Sequence, residues 1–142
     1  MNADVVPDAT SDPIAPGETR LMLRGIGVDV AGTPLLRGIS QILAGGDVLA
    51  IVGPSGAGKT RLLRVIVGLD DAAEGSMTLN GQSPAEIGWP AYRRRVTLVS
   101  TLYTMLPGTV ADNLLAPSSF GGGPPPSKQG QIEALQRVGL SV

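Results

Sequence analysis

The residues with the clearest chemistry lie between Gly53 and Thr60, in the sequence GPSGAGKT. They match the pattern G-x-x-x-x-G-K-[ST], in which a glycine-rich loop precedes a lysine and a hydroxyl residue. The glycines allow successive backbone N–H groups to point into the loop and surround a phosphate. Lys59 adds a positive charge that reaches the β- and γ-phosphates, and Thr60 adds a hydroxyl ligand for Mg²⁺. These residues predict a site for a nucleoside triphosphate.

The segments on either side of this loop have the patterns that such a loop needs. Val48 to Val52 are apolar without alternation, which is typical of a parallel strand buried on both faces. Residues 59–67 have apolar side chains at helical spacing, so we expect a helix with Lys59 in its first turn. Its unpaired N–H groups and positive dipole end would face the same phosphate. A glycine-rich turn without a ligand is the alternative interpretation.

Composition limits the classes of function. The 142 residues suit one domain, and a net charge of -1 indicates no nucleic-acid partner. The absence of cysteine and histidine excludes disulfides, thiolate sites and histidine catalysis. No apolar run of about 18 residues occurs, and the N-terminus lacks the pattern of a secretory signal. We therefore expect a cytoplasmic location.

The predicted organisation is a tail, a domain and an internal linker. Residues 1–18 contain acids and prolines but no basic residue, so we expect a disordered tail. Residues 19–142 form the predicted domain, in which 116–130 is a flexible linker rich in Gly, Pro and Ser. Two antiparallel strands are expected before the loop. The predicted elements are strands at 19–30, 35–43, 75–82 and 96–100, a hairpin turn at Asn80-Gly81, a short helix or turn within 84–95, and helices at 109–115 and 131–138.

Two other polar clusters have simpler interpretations. Asp70 and Asp71 follow an apolar run, as the Mg²⁺-binding aspartate of many nucleotide hydrolases does. They come after a predicted helix rather than a strand, so we expect a solvated loop. The run Arg93–Arg95 precedes a predicted strand, and a solvated helix end is favoured over a binding patch.

Several stretches taken together resemble the nucleotide-binding subunit of ATP-binding-cassette (ABC) transporters. They cover about residues 20–140 in the family's order: TPLLRGISQILAGGDVLAIVGPSGAGKT, RLLRVIVGLDDAAEGSMTLNG, YRRRVTLVS, PGTVADNLL and ALQRVGL. The resemblance implies an α/β fold of the P-loop NTPase, ABC-ATPase-like class, with N-terminal antiparallel strands and an incomplete parallel core sheet. The stretch PGTVADNLLAP also looks similar to small ATPases paired with iron- or metal-export permeases.

The resemblance implies roles for individual residues. The Walker A loop, which binds the ATP phosphates and Mg²⁺, would consist of Gly53, Pro54, Ser55, Gly56, Ala57, Gly58, Lys59 and Thr60. The family usually stacks adenine on an aromatic residue, and Val30 aligns with that position and offers only apolar contact. The family's Q-loop glutamine, which helps hold Mg²⁺ and the attacking water, aligns with Thr101. Both differences predict less efficient hydrolysis and coupling.

The family's remaining motifs do not occur in this sequence. They are the signature loop, the Walker B strand, the catalytic glutamate and the switch histidine, so we expect no catalytic residue here. The resemblance is therefore to the N-terminal portion of an ABC ATPase. Without the strands that normally flank the phosphate-loop strand, we expect marginal stability or dependence on a partner.

The resulting main hypothesis is the ATP-binding part of an ABC transporter ATPase. The resemblance implies ATP and Mg²⁺ as ligands, a transmembrane permease and a second nucleotide-binding subunit as partners, and a peripheral location at the inner face of the cell membrane. One alternative is a truncated or degenerate ATP-binding remnant without hydrolysis. Another is a small-molecule kinase with the same loop. Neither the transported substrate nor the direction of transport can be inferred from the sequence.

Overall fold

A computed structural model describes residues 19–102, 104–120 and 123–140. The predicted tail at 1–18 lies outside the described residues. The chain divides into two units, with the boundary between Leu98 and Val99. The described part of the first unit contains an antiparallel sheet and three helices, and that of the second unit contains two helices.

The sheet of the first unit has the strand order β2-β1-β3, with β1 at Arg20–Val30, β2 at Thr33–Ala44 and β3 at Glu74–Leu79. β1 pairs antiparallel with both neighbours. Val30 pairs with Thr33, so only Ala31 and Gly32 connect β1 to β2. Both have positive φ, as tight hairpin turns prefer. The predicted antiparallel strands before the loop are confirmed.

The core of the first unit lies between β1 and the helix that follows the loop. This helix, α1, spans Lys59–Ile66. The core cluster consists of buried aliphatic side chains from the two elements: Leu23, Ile26, Val28, Leu62 and Val65. The apolar spacing predicts a buried stripe that includes Leu63 and Leu69, but both are exposed. The buried face of α1 is therefore the one that carries Leu62 and Val65.

Two predicted strands are absent from the described residues. Residues 47–54 contain no strand or helix, and Val48 is 96% exposed. Residues 97–100 are equally irregular, and Val99 is 92% exposed. A strand exists only with a hydrogen-bonded neighbour, and no described residue pairs with either segment. The predictions of a buried parallel strand at 48–52 and of a strand at 96–100 are therefore corrected.

The turn predicted at Asn80-Gly81 directly follows β3. The Leu79 N–H donates to the Gln82 carbonyl at 2.8 Å, and the Asn80 side chain accepts from the Arg20 N–H at 2.7 Å. The first bond lies within the turn, and the second connects the turn to β1.

The remaining helices are short, and side chains cap several of them. They are α2 at Pro84–Ile87, α3 at Trp89–Arg95, α4 at Val110–Ser119 and α5 at Lys128–Arg137. Thr109 and Asp112 form the capping box of α4, whose start agrees with that of the helix predicted at 109–115. α4 and α5 occupy both ends of the segment 116–130 that the sequence predicts as a linker. No helix in the described ranges has the length and hydropathy needed to cross a membrane.

Ion pairs connect α1 to the segment that follows it. Asp70 accepts hydrogen bonds from Arg64 at 2.7 Å and 2.8 Å and from Arg61 at 2.8 Å. These bonds, chiefly those from Arg64, lower the pKa of Asp70 from 3.8 to about 2, and partial burial opposes the shift. The aspartates lie past the end of the helix, as the sequence predicts, but Asp70 is part of an ion-pair network.

We expect Asp70 to make stability depend on pH in the acid range. Its pKa is lower in the folded than in the unfolded chain, so the stabilisation is present above about pH 4 and is lost towards about pH 2. Because the side chains of Arg61 and Arg64 are 49% and 40% exposed, the contribution should not exceed about 1 kcal/mol. Urea unfolding across this pH range should show a smaller change in midpoint for Asp70→Asn than for wild type. Asp71→Asn, which removes the neighbouring carboxylate, should behave as wild type, and equal pH dependence in all three proteins would contradict the prediction.

Candidate functional site

The predicted phosphate loop forms one wall of a depression of about 260 Å³ at the N-terminus of α1. The predicted residues that line it are Ser55, Gly56, Gly58, Lys59 and Thr60. Leu35 and Arg61 complete the lining. Contiguous residues thus come together around one concave surface, as the motif requires.

The backbone of the loop leaves the N-terminus of α1 open to an anion. Gly58 is the N-cap of α1 with φ of 90°, a conformation that costs a residue with Cβ roughly 1–2 kcal/mol. No side chain caps the helix, and no acidic residue lies in its first turn. The first N–H groups and the positive end of the helix dipole are therefore available to a phosphate.

Lys59 is held inside the loop. Its Nζ donates hydrogen bonds to the carbonyls of Gly53 at 2.9 Å and Pro54 at 2.7 Å. An ammonium has three donors, so one remains for a phosphate oxygen. Gly53 and Pro54 do not line the depression, and their part in this geometry is to position the lysine. Ala57 also lies outside the lining, and its N–H closes the loop turn to the Pro54 carbonyl at 3.3 Å.

Thr60 lies in the first turn of α1 and is exposed to the depression. Its hydroxyl has no hydrogen-bond partner among the described residues. Mg²⁺ in nucleotide sites usually takes one or two protein oxygens together with phosphate oxygens and waters. The Thr60 hydroxyl, next to the phosphate position, fits that requirement as one ligand.

The predicted adenine-side residue Val30 does not line the depression, whereas Leu35 does. Val30 is at the end of β1 and partly exposed. The Leu35 side chain lies against the loop, since a Cβ on Gly58 would be 3.0 Å from Leu35 Cδ2. The sequence contains only a weak signal for Leu35. Leu35 lies at an irregularity in the pairing of β2 with β1, because Leu36 pairs with Val28 and Pro34 with Asp29, so strand alternation does not predict its direction.

Thr101, at the predicted Q-loop position, lies on an exposed bend in the second unit. The loop residues belong to the first unit. Its predicted role, like that of Val30, stays a prediction.

Comparison with known proteins gives consistent matches. A family model described as ABC transporter matches residues 36–142. The methionine import ATP-binding protein MetN of Caulobacter vibrioides is 38% identical over 116 residues, which are 78% of this chain and 35% of that protein. The lipoprotein-releasing system ATP-binding protein LolD 1 of Rhodopirellula baltica is 38% identical over 119 residues, 78% of this chain and 52% of that protein. The chain thus spans between about a third and about a half of these relatives.

A solved structure supports the fold. The bacterial Atm1-family ABC exporter with ATP bound superposes with a TM-score of 0.72 at 24% identity, covering 92% of this chain and 22% of that chain. At this level of identity the likeness concerns the fold alone. The predicted P-loop NTPase class of α/β fold, similar to ABC ATPases, is confirmed.

Proposed function

This chain belongs to the ABC transporter family, and on that basis we propose that it supplies the phosphate- and Mg²⁺-binding loop of a transporter's ATP-binding subunit. The nucleotide is ATP with Mg²⁺, bound in the depression between Leu35 and the first turn of α1. The loop N–H groups and Lys59 hold the phosphates, and Thr60 ligates the metal.

The observation that carries this proposal is the uncapped N-terminus of α1 beside Lys59. A helix end without a capping oxygen or an acidic residue favours an anionic ligand, and the ammonium adjoins the same depression. Both features occur in the segment where the sequence matches the phosphate-binding motif. The motif, the backbone geometry and the placement of the lysine therefore support the same ligand.

The activity of the whole subunit is part of the proposal. ATP-binding proteins of this family work with permease subunits, and we propose that this one acts with a permease and a second nucleotide-binding subunit at the inner face of the membrane. ATP hydrolysis coupled to transport is then the activity of the assembled transporter. No structural observation favours the non-hydrolysing alternative over this function.

The transported substrate is not assigned. MetN is named for methionine import, and LolD 1 is named for lipoprotein release. These names belong to those proteins, and they do not agree on a substrate. The similarity to iron- or metal-export ATPases stays a prediction.

Thermal unfolding of the full chain with and without MgATP tests the proposal. A ligand present at about 100 times its Kd adds about 2.7 kcal/mol to the free energy of unfolding. For a chain of this size, that gain should raise the melting temperature by about 5 °C or more. An unchanged melting temperature at millimolar MgATP would contradict the proposal.

We expect Thr60→Ala to remove the part of the affinity that depends on Mg²⁺. MgATP binding should weaken by about tenfold, because a metal ligand is lost. ATP binding in EDTA should not change. Calorimetric titration of both ligands measures the two values, and Thr60→Ser, which keeps the hydroxyl, is the matched control. Equal losses for ATP and MgATP would show that Thr60 does not act through the metal.

A further inference from the structure

Side chains of α3 contact the C-terminal end of α1, opposite to the phosphate loop. Tyr92 is fully buried, and its hydroxyl donates to the Ile66 carbonyl at 2.7 Å. Arg93 donates to the Gly68 carbonyl through Nη2 at 2.7 Å and Nε at 3.2 Å. Two carbonyls at or just after the helix end are thus held by side chains more than twenty residues away in sequence.

Trp89 completes this contact, which we call the α1–α3 junction: Ile66, Gly68, Trp89, Tyr92 and Arg93. A Cβ on Gly68 would be only 2.1 Å from Trp89 Cζ3, so the indole packs directly on the backbone. The Trp89 and Tyr92 rings meet edge to face with centroids 5.9 Å apart. The Arg93 guanidinium lies 5.5 Å from the centre of the Trp89 ring. The three α3 side chains therefore support one another.

The junction acts on the same short helix that begins the phosphate site. α1 has eight residues, so its two ends are only about 12 Å apart. Leu62 and Val65 hold it against β1 by apolar contacts, which are not directional. The hydrogen bonds to the carbonyl of its last residue, Ile66, and to that of Gly68 just after it are directional, so they fix its rotation and its position along its axis. Binding sites need their groups placed to within about 0.5 Å.

We propose that Tyr92 and Arg93 are positioning residues for the phosphate site and hold Lys59 and Thr60 in register through α1. This inference rests on the proposed function, since it concerns how tightly the loop binds MgATP. It assigns a role to one arginine of the run Arg93–Arg95. Arg94 and Arg95 are exposed and have no hydrogen bond or ion pair with a described residue.

The neighbouring arginines provide a matched test. Tyr92→Phe removes one hydroxyl, Arg93→Gln removes a charge that contacts Gly68, and Arg94→Gln removes the same charge one residue further along. The first two should each weaken MgATP binding by about three- to tenfold, and the third should leave it unchanged. Calorimetric titration of the full chain, well below the melting temperature, measures the Kd. A purely structural role would lower the melting temperature without changing the Kd of the folded protein.

Each outcome of this test is informative. Wild-type binding with unchanged Kd in Tyr92→Phe and Arg93→Gln overturns the positioning role alone. An equal loss in Arg93→Gln and Arg94→Gln also overturns it, because the effect would then be that of net charge. Absence of MgATP binding by wild type overturns the proposed function and this inference together. If Tyr92→Phe does not fold, Arg93→Gln at the exposed edge of the junction decides the question.

Discussion

Lys59→Ala should weaken MgATP binding by at least about 30-fold, which is the largest effect that we expect from a single side chain at the site. Hydrogen bonds to charged groups contribute about 1.5–3 kcal/mol, and a loss of about 2 kcal/mol corresponds to that factor. Lys59 is also the residue whose Nζ lies against the carbonyls of Gly53 and Pro54. Replacing the lysine therefore removes both the positive charge and the hydrogen bonds that hold the loop around the side chain. Calorimetric titration with MgATP measures the loss.

The chain contains a well-matched control for this variant. Lys128 is the only other lysine in the sequence, and it lies at the start of α5 in the second unit. Lys128→Ala removes the same side chain and charge from a residue that does not line the depression, so its Kd should equal that of wild type. A Lys59→Ala protein that binds MgATP within about threefold of wild type would contradict the assigned role of Lys59.

Gly75→Ala should lower the free energy of unfolding by about 3 kcal/mol or more, because it combines backbone strain with a clash. Gly75 lies in β3 with φ of 86°. A Cβ there would be 2.4 Å from the Arg24 carbonyl oxygen and 2.5 Å from the carbonyl of Gly25. These are backbone atoms of β1, so they can move only if the pairing of β1 with β3 is disturbed. Urea unfolding measures the loss.

Gly81→Ala separates the cost of the backbone conformation from the cost of the clash. Gly81 also has a positive φ, 80°, in the turn after β3, but no atom lies within 4 Å of its would-be Cβ. This variant should therefore lose only about 1–2 kcal/mol, the cost of the backbone conformation. Similar losses for Gly75→Ala and Gly81→Ala would show that the close approach of β1 to β3 is not as tight as the structure indicates.

The sequence predicts the elements that depend on local signals. The hairpin before the loop, the turn at Asn80-Gly81 and the start of α4 are each specified by neighbouring residues, through alternation, positive-φ turn residues and a capping box. The apolar segments 48–52 and 96–100 fail as strands because strand formation depends on a neighbouring strand that the sequence pattern cannot supply. An apolar run indicates that burying the segment is favourable, but it does not indicate which strand or helix covers that segment.

The same distinction applies to the site. The phosphate loop can be read from contiguous residues, and most of those residues line one depression. The α1–α3 junction cannot be read in this way, since Tyr92 and its acceptor Ile66 are 26 residues apart. An arginine run also does not reveal which of its members has a partner. Only the packing of α3 on the end of α1 distinguishes Arg93 from Arg94.

Amide hydrogen exchange of the full chain, with and without saturating MgATP, tests the central claim most directly. If the loop N–H groups bind the phosphates, exchange should slow at residues 55–61, where the loop meets α1. At an MgATP concentration near the wild-type Kd, where an about 30-fold weaker variant is almost unoccupied, the same peptides should respond in wild type but not in Lys59→Ala. Slower exchange confined to other residues, or an unchanged rate at 55–61 in a protein with MgATP bound, would show that the nucleotide does not bind at this loop.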